Sequence, residues 1–405
     1  MRKNTRATWN GTSGDDLYEG TEFDDYINGL LGNDTLYGMG GNDTMVGGWG
    51  NDALFGGDGD DVIEGGAGMD LMDGGAGNDT MWMYYAGAPV TADLRTGFVD
   101  GGETTGDAFM SIENLTGAYD YANVLTGDFR ANTLIGGFEG DVLSGQGGND
   151  LLYGWWGADT LMGGAGDDIL SDDRPSSSRG TEGDILNGGT GADSMWGGLG
   201  DDIYYVDNAR DTVHEYYNEG YDTVVATASH TLADNTEKLS LALAGGNIDG
   251  TGNGEANLIL GNSFATTLSG MAGNDILRGN GGADVLIGGL GLDTLAGGDG
   301  NDVFKINAIA ESAPGSSRDV IRDFAQGQDV IDLSGIDVIP GGTDDAFVDV
   351  LPLGKGFTGV EGQLRIFQTL AGHTYVAGDV DGNKTADFEI KIVGLWDLGA
   401  SDFIL

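Results

Sequence analysis

The sequence predicts an all-β fold: a parallel β-roll, or β-solenoid, in three blocks closed by a C-terminal β cap. Three observations carry that prediction. A nine-residue period runs through about half of the chain. Each period holds an apolar residue at one fixed position, and Gly and Asp recur at others.

The period is unbroken over residues 11–82, which divide into eight units. One unit reads Gly47-Gly48-Trp49-Gly50-Asn51-Asp52-Ala53-Leu54-Phe55. Position six carries Asp16, Asp25, Asp34, Asp43, Asp52, Asp61, Asp70 and Asp79. Position eight carries Tyr18, Ile27, Leu36, Met45, Leu54, Ile63, Met72 and Met81. The period returns over 117–171, with Asn123, Asn132, Asp141, Asp150, Asp159 and Asp168 at position six. An insertion at 172–178 interrupts it, and Asp184, Asp193 and Asp202 resume it. Over 252–305 the same position carries Asn257, Thr266, Asp275, Asp284, Asp293 and Asp302. Asp fills 19 of these 23 positions, so the file is a requirement and not a composition effect.

The unit reads as a turn at positions one to six and a short strand at seven to nine. Gly at positions one, two and four suits positive φ and close backbone approach. The middle strand residue, position eight, points into the core, because strand side chains alternate faces. Two strands and two turns make a flattened coil of 18 residues, so each turn stacks on the turn two units along.

Charge gives the turns their chemistry. Asp and Glu number 66 against 17 Lys and Arg, a net charge of −49, and Gly numbers 78. Such a chain repels itself and needs cations to become compact. The acidity argues against nucleic acid or an anionic membrane as a partner. Calcium takes 6–8 oxygens at about 2.3–2.6 Å, and a turn of carbonyls plus one Asp carboxylate supplies about half of that shell. Two stacked turns complete it. Pairing each Asp with the one two units along predicts about 11 ions, with Asp16 facing Asp34, Asp25 facing Asp43, and so on. Mixed pairs such as Asn123 with Asp141 are expected to add weaker sites. Magnesium, with its tighter octahedron, fits such a shell poorly.

These nonapeptides resemble the RTX, or haemolysin-type, calcium-binding repeat. Beyond residue 305 the texture changes. Arg318-Asp319-Val320-Ile321-Arg322-Asp323-Phe324, Gly327-Gln328-Asp329-Val330-Ile331-Asp332-Leu333-Ser334 and the ending Ser401-Asp402-Phe403-Ile404-Leu405 resemble the C-terminal domain of serralysin-type secreted metalloproteases. That resemblance implies a cap on the roll and an uncleaved type I secretion signal in the last residues. It makes the type I secretion machinery a partner and the protein extracellular. Residues 1–10 are basic and lack the apolar stretch of an N-terminal signal. No apolar run reaches the roughly 18 residues of a membrane span.

The resulting organisation is a tail at 1–10, a first roll at 11–82 and a connector at 83–116. A second roll follows at 117–205, then a connector at 206–251, a third roll at 252–305 and the C-terminal domain at 306–405. The connectors contain strand-like alternation, as in Asp222-Thr223-Val224-Val225-Ala226 and Glu237-Lys238-Leu239-Ser240-Leu241, and read as larger coils that continue the solenoid.

No catalytic constellation is apparent. His214-Glu215-Tyr216-Tyr217-Asn218 lacks the second His of a His-Glu-x-x-His zinc helix, and Cys is absent. The expected role is therefore structural, matrix or adhesive, and not enzymatic. The runner-up is polysaccharide binding, as in the repeat modules that accompany alginate epimerases. It rests on Trp49, Trp82, Trp155, Trp156 and Trp196, and on Tyr37, Phe55 and Tyr153, all off the core position. A hidden polysaccharide-active enzyme is the third reading. Asp379, Asp381, Asn383 and Asp387 have the one, three, five, nine spacing of an EF-hand loop. Gly382 falls at position four instead of six, however, and Ile390 replaces the Glu at twelve. A hairpin turn is the competing reading there.

Overall fold

The computed structural model describes residues 6–172, 181–336, 347 and 349–405. The described residues are almost entirely strands and turns, with three short 3-10 segments. The chain is an all-β parallel solenoid made of two compact units. One holds residues 1–205, 210–214 and 218–220; the other holds 206–209, 215–217 and 221–405. Of the 172–178 insertion, residues 173–178 lie outside the described residues.

In the first unit, alternate strands of the repeat go to alternate sheets. Tyr26–Leu31 pairs in parallel with Thr44–Trp49, and Thr35–Gly40 pairs with Ala53–Asp58. The register is 18 residues: Ile27 faces Met45, and Leu36 faces Leu54. Position-eight residues from Ile27 to Met72 are fully buried. Tyr18, in the end coil, is half-buried and stacks on Trp9 at 4.4 Å.

The strands are longer than a three-residue reading allows. Tyr26–Leu31 occupies positions seven to nine and also one to three of the next unit. Leu30 and Leu31 pair with Gly48 and Trp49, so the backbone of positions one to three joins the ladder. Only positions four to six turn. Position four carries positive φ, as at Gly50 (φ 130°), where a Cβ would collide with the Gly32 carbonyl of the coil below.

Residues 83–116 keep both faces continuous. Asn114–Thr116 sits in parallel between Thr80–Trp82 and Thr133–Gly137. On the other face Thr91–Asp93, Phe98–Asp100 and Ala108–Met110 form an antiparallel meander. Its outer strands pair in parallel with Val124–Thr126 and Leu71–Ala76.

In the second unit Thr223–Ala226, Lys238–Leu241, Leu258–Leu260, Ile276–Gly281 and Thr294–Asp299 stack in parallel. Val320–Ile321 follows and pairs with Phe388–Val393. That last strand belongs to an antiparallel meander with His373–Asp379 and Gln363–Gln368, which ends the roll. The opposite face ends with Phe403–Ile404 against Val330–Asp332.

Candidate metal centres along the Asp file

The position-six carboxylates are held by their own backbone. The Asp16 N–H donates to Asp34 Oδ1 at 2.7 Å, Asp34 N–H to Asp52 Oδ1 at 2.7 Å, and Asp52 N–H to Asp70 Oδ1 at 2.8 Å. The second column repeats this from Asp25 through Asp43 and Asp61 to Asp79. In the later blocks Asp141 is tied to Asp159, Asp150 to Asp168, Asp184 to Asp202, Asp275 to Asp293 and Asp284 to Asp302. One carboxylate oxygen of each bonded Asp is thereby used, and the side chain is fixed in direction.

The other oxygen is where the file departs from an ordinary hydrogen-bonded turn. Oδ2 of Asp34, Asp43, Asp52, Asp61, Asp70, Asp79, Asp141, Asp150, Asp159, Asp168, Asp184, Asp275, Asp284, Asp293 and Asp302 is buried with no hydrogen-bond partner. A native chain leaves few buried polar atoms in that state, and each calls for an explanation. Here most of them share one environment. A Cβ on Gly47 would overlap both Asp52 Oδ2 and the Gly65 carbonyl oxygen of the coil above. Gly29, with Asp34 and Gly47, and Gly270, with Asp275 and Gly288, repeat the arrangement. Position one is thus Gly because its missing side chain leaves a cradle between a carboxylate and a carbonyl. The donors are oxygens only, which suits a hard cation such as calcium.

Protonation reports the same strain. Burial pushes Asp43, Asp61, Asp141, Asp150 and Asp275 up to about 7. It pushes Asp52, Asp79, Asp293 and Asp302 up to about 6. Charges on facing Asp residues add to several of these shifts, as Asp61 does at Asp43. Without a cation these groups resist ionisation.

Not every position six is alike. Asp16 is half-buried, and its Oδ2 accepts the Thr12 N–H at 2.6 Å. Asp25 Oδ2 accepts the Thr21 N–H at 2.6 Å. Thr at position two therefore supplies a donor in the first two units. Asp193 and Asp202 are buried like the rest of the file. The Asn123–Asp141 pair, expected as a weaker site, is closed by hydrogen bonds. Asn123 Nδ2 donates to Asp141 Oδ1 at 2.9 Å and to the Tyr121 carbonyl at 2.7 Å, so an amide stands where a cation would act. Asn132 and Asn257 likewise use Oδ1 on the N–H of Asp128 and Asn253, and Nδ2 on backbone carbonyls.

Counting strictly by sequence offset misses part of the file. Asp159 is tied to Asp184 at 2.6 Å and Asp168 to Asp193 at 2.8 Å, directly across the insertion. Asp70 continues to Asp107 and Asp79 to Glu113. Asp193 continues to Asp211, and Asp222 to Glu237. Asp293 and Asp302 continue to Asp319 and Asp329. Most of these recruits share one signal: Asp, any residue, then a buried apolar residue. Asp107-Ala108-Phe109, Asp211-Thr212-Val213, Asp319-Val320-Ile321 and Asp329-Val330-Ile331 all carry it. A count of about 11 pairs, drawn from runs inside each block, therefore stops short of the stacking.

One centre is richer. Asp172 stands at position one, where most units have Gly, and its carboxylate joins Asp159 and Asp184 with ligand atoms within 4.8 Å of one another. All three are buried, and Asp172 Oδ1 has no partner. Burial, then the charges of Asp184 and Asp159, drives the Asp172 carboxyl strongly upward.

The outward aromatics are mostly spent on one another. Tyr37 stacks on Phe55 at 4.9 Å, Trp156 on Phe138 at 4.1 Å and Trp196 on His214 at 4.3 Å. Trp82 leans on Tyr84 at 6.0 Å. Trp49, by contrast, is 67% exposed.

Two solved structures are similar in part. The AlgE6R2 subunit of the Azotobacter vinelandii mannuronan C5-epimerase is 28% identical, over 39% of this chain and 92% of that one, with a TM-score of 0.30. The AlgE6R3 subunit of the same epimerase is 27% identical, over 41% and 82%, with a TM-score of 0.22. The family model described as Peptidase M10 serralysin C terminal matches residues 16–405, which include the whole Asp file and the cap. The chain belongs to that serralysin C-terminal family and is a calcium-binding repeat protein of the RTX type.

Proposed function

We propose that this protein is an extracellular, non-catalytic scaffold that leaves the cell unfolded by a type I route and folds on calcium outside. The observation that carries the reading is the file of buried Asp Oδ2 atoms without partners, beside a backbone carbonyl at Asp34, Asp43, Asp52, Asp61, Asp141, Asp150, Asp168, Asp275 and Asp284 among others. The position-six Asp residues of the three rolls are its calcium ligands, and carboxylates committed to a cation are unavailable as general acids or bases.

Export follows from the same electrostatics. Cytosolic free calcium lies far below the affinities of extracellular calcium modules, on the order of 10⁻⁴–10⁻³ M. Inside the cell the carboxylates repel one another and the chain stays open enough to thread a channel. Outside, calcium closes the coils and opposes backsliding. The residues ending in Asp402-Phe403-Ile404-Leu405 act as the export signal. In the folded chain Phe403 is buried, and Leu333 N–H donates to the Ile404 carbonyl at 2.8 Å, so an exporter reads this segment only before folding. The stacked aromatic files cover neighbouring coils and add no polysaccharide partner to this proposal.

The test is deletion of residues 363–405 in a cell that carries a matching type I exporter, followed by assay of the medium. Retention of the truncated chain in the cytoplasm is the expected result. Secretion at the level of the intact chain contradicts the proposed route.

A further inference from the structure

We propose a calcium site outside the rolls, in the turn that joins His373–Asp379 to Phe388–Val393. Its ligands are Asp379, Asp381 and Asp387, with Asn383 beside them. The three carboxylates offer ligand atoms within 4.8 Å of one another. Such clusters are common without ions, so proximity alone decides nothing. The deciding observation is Asp379. It is fully buried, and its Oδ1 has no hydrogen-bond partner. Among the described residues no Lys or Arg forms an ion pair with any of the three. Burying a carboxylate without a counter-charge is destabilising, and a bound cation removes that cost.

The surrounding bonds hold the carboxylates in place without satisfying Asp379. Its Oδ2 accepts the Lys384 N–H at 3.0 Å. Asp387 Oδ2 accepts the Val380 N–H at 2.7 Å, which draws position nine of the loop back towards position one. Asp381 Oδ1 accepts the Asn383 N–H at 3.1 Å. Lys384, at the position where an EF-hand loop turns on Gly, adopts that left-handed turn with φ 72°. The loop thus makes the required bend although its glycine sits two residues earlier.

The donor set selects the ion. It is oxygen only, irregular and partly open to water, which suits calcium better than magnesium with its strict octahedron. Position twelve is Ile390, fully buried in the strand, so the bidentate Glu of a tight EF-hand is missing. Affinity therefore falls in the weak extracellular range, on the order of 10⁻⁴–10⁻³ M. Phe388–Val393 pairs with Val320–Ile321, so an ion here steadies the strand that closes the roll.

The test uses the full chain in saturating calcium. Asp381→Asn changes an exposed ligand and leaves the buried Asp379 in place; Asp397→Asn is an exposed control of equal charge change. Bound calcium is counted by equilibrium dialysis, and amide exchange is read over 379–388 and over the rolls. The expected result is one ion fewer in Asp381→Asn and exchange faster by on the order of tenfold in the turn alone. Asp397→Asn should match the wild type. Asp379→Asn should lose the same ion; if it unfolds the cap, the Asp381 variant decides. An unchanged ion count and unchanged turn exchange in Asp381→Asn overturn the site. Either result leaves the roll ions in place, so it is read separately from the function proposed above.

Discussion

In excess chelator at neutral pH, the chain is expected to lose most of its β-structure and expand, and millimolar calcium should restore both. Each nine-residue unit of the rolls buries a single position-eight side chain, such as Leu54 or Ile63, while ordering a Gly-rich backbone. Backbone ordering costs about 1–2 kcal/mol per residue, which so thin a core offsets poorly. The buried Asp file adds mutual repulsion within a chain of net charge −49. An ion that binds only the folded form contributes about 2.7 kcal/mol per site at a hundred times its Kd. Summed over two columns of turns, that term dominates. Far-UV circular dichroism and small-angle scattering check it. A β spectrum that survives exhaustive chelation contradicts it.

Acid should act in opposite directions with and without calcium. Burial raises the folded-state values of Asp43, Asp61 and Asp150 to about 7 and those of Asp52 and Asp302 to about 6. A raised value means that the calcium-free fold holds its protons more tightly than the open chain does. Its stability is then greatest below the unfolded carboxylate range near pH 4 and is lost as pH rises through 6 to 7. In chelator, lowering the pH from 7.5 to about 4 should therefore recover compact β-structure. With calcium present the carboxylates must be ionised to bind, so the same acid should strip the ions and lower the melting temperature. Parallel pH titrations by circular dichroism distinguish the two. A chelated chain that gains structure as pH rises contradicts the assignment.

Much of the fold was legible because the repeat carries its information locally. Asp at six and an apolar residue at eight are enough to place Ile27, Met45 and Ile63 in one file and Asp34, Asp52 and Asp70 in another. What was not legible depends on contacts without a fixed sequence offset. The strand continues through Leu30 and Leu31 because their backbone meets Gly48 and Trp49, a pairing that no side chain advertises. Asp107 lies 37 residues from Asp70 because a meander intervenes, and Asp184 lies 25 from Asp159 because of the insertion. A second ladder was also hidden. Position-five side chains accept the position-five N–H of the coil above, as Asp15 does from Asn33 at 2.8 Å and Asn33 from Asn51 at 2.8 Å. The frequency of Asn and Asp there was its only trace.

The Asp172 centre shows the same limit. In sequence, Asp172 opens an insertion and looks like loop. In space it brings a third carboxylate to the Asp159–Asp184 pair. Reading it required knowing that the coil closes across the inserted residues, as the pairing of Thr160–Ala165 with Ile185–Thr190 establishes.

The central claim is that the partnerless Asp Oδ2 atoms are cation ligands. Anomalous diffraction from crystals of the full chain grown in calcium tests it most directly. The account predicts peaks about 2.3–2.6 Å from Oδ2 of Asp52 and from the Gly65 carbonyl, repeated at the other partnerless Oδ2 cradles, such as Asp34 with Gly47 and Asp275 with Gly288. Peaks absent from these cradles, with water on Oδ2 in their place, would contradict it.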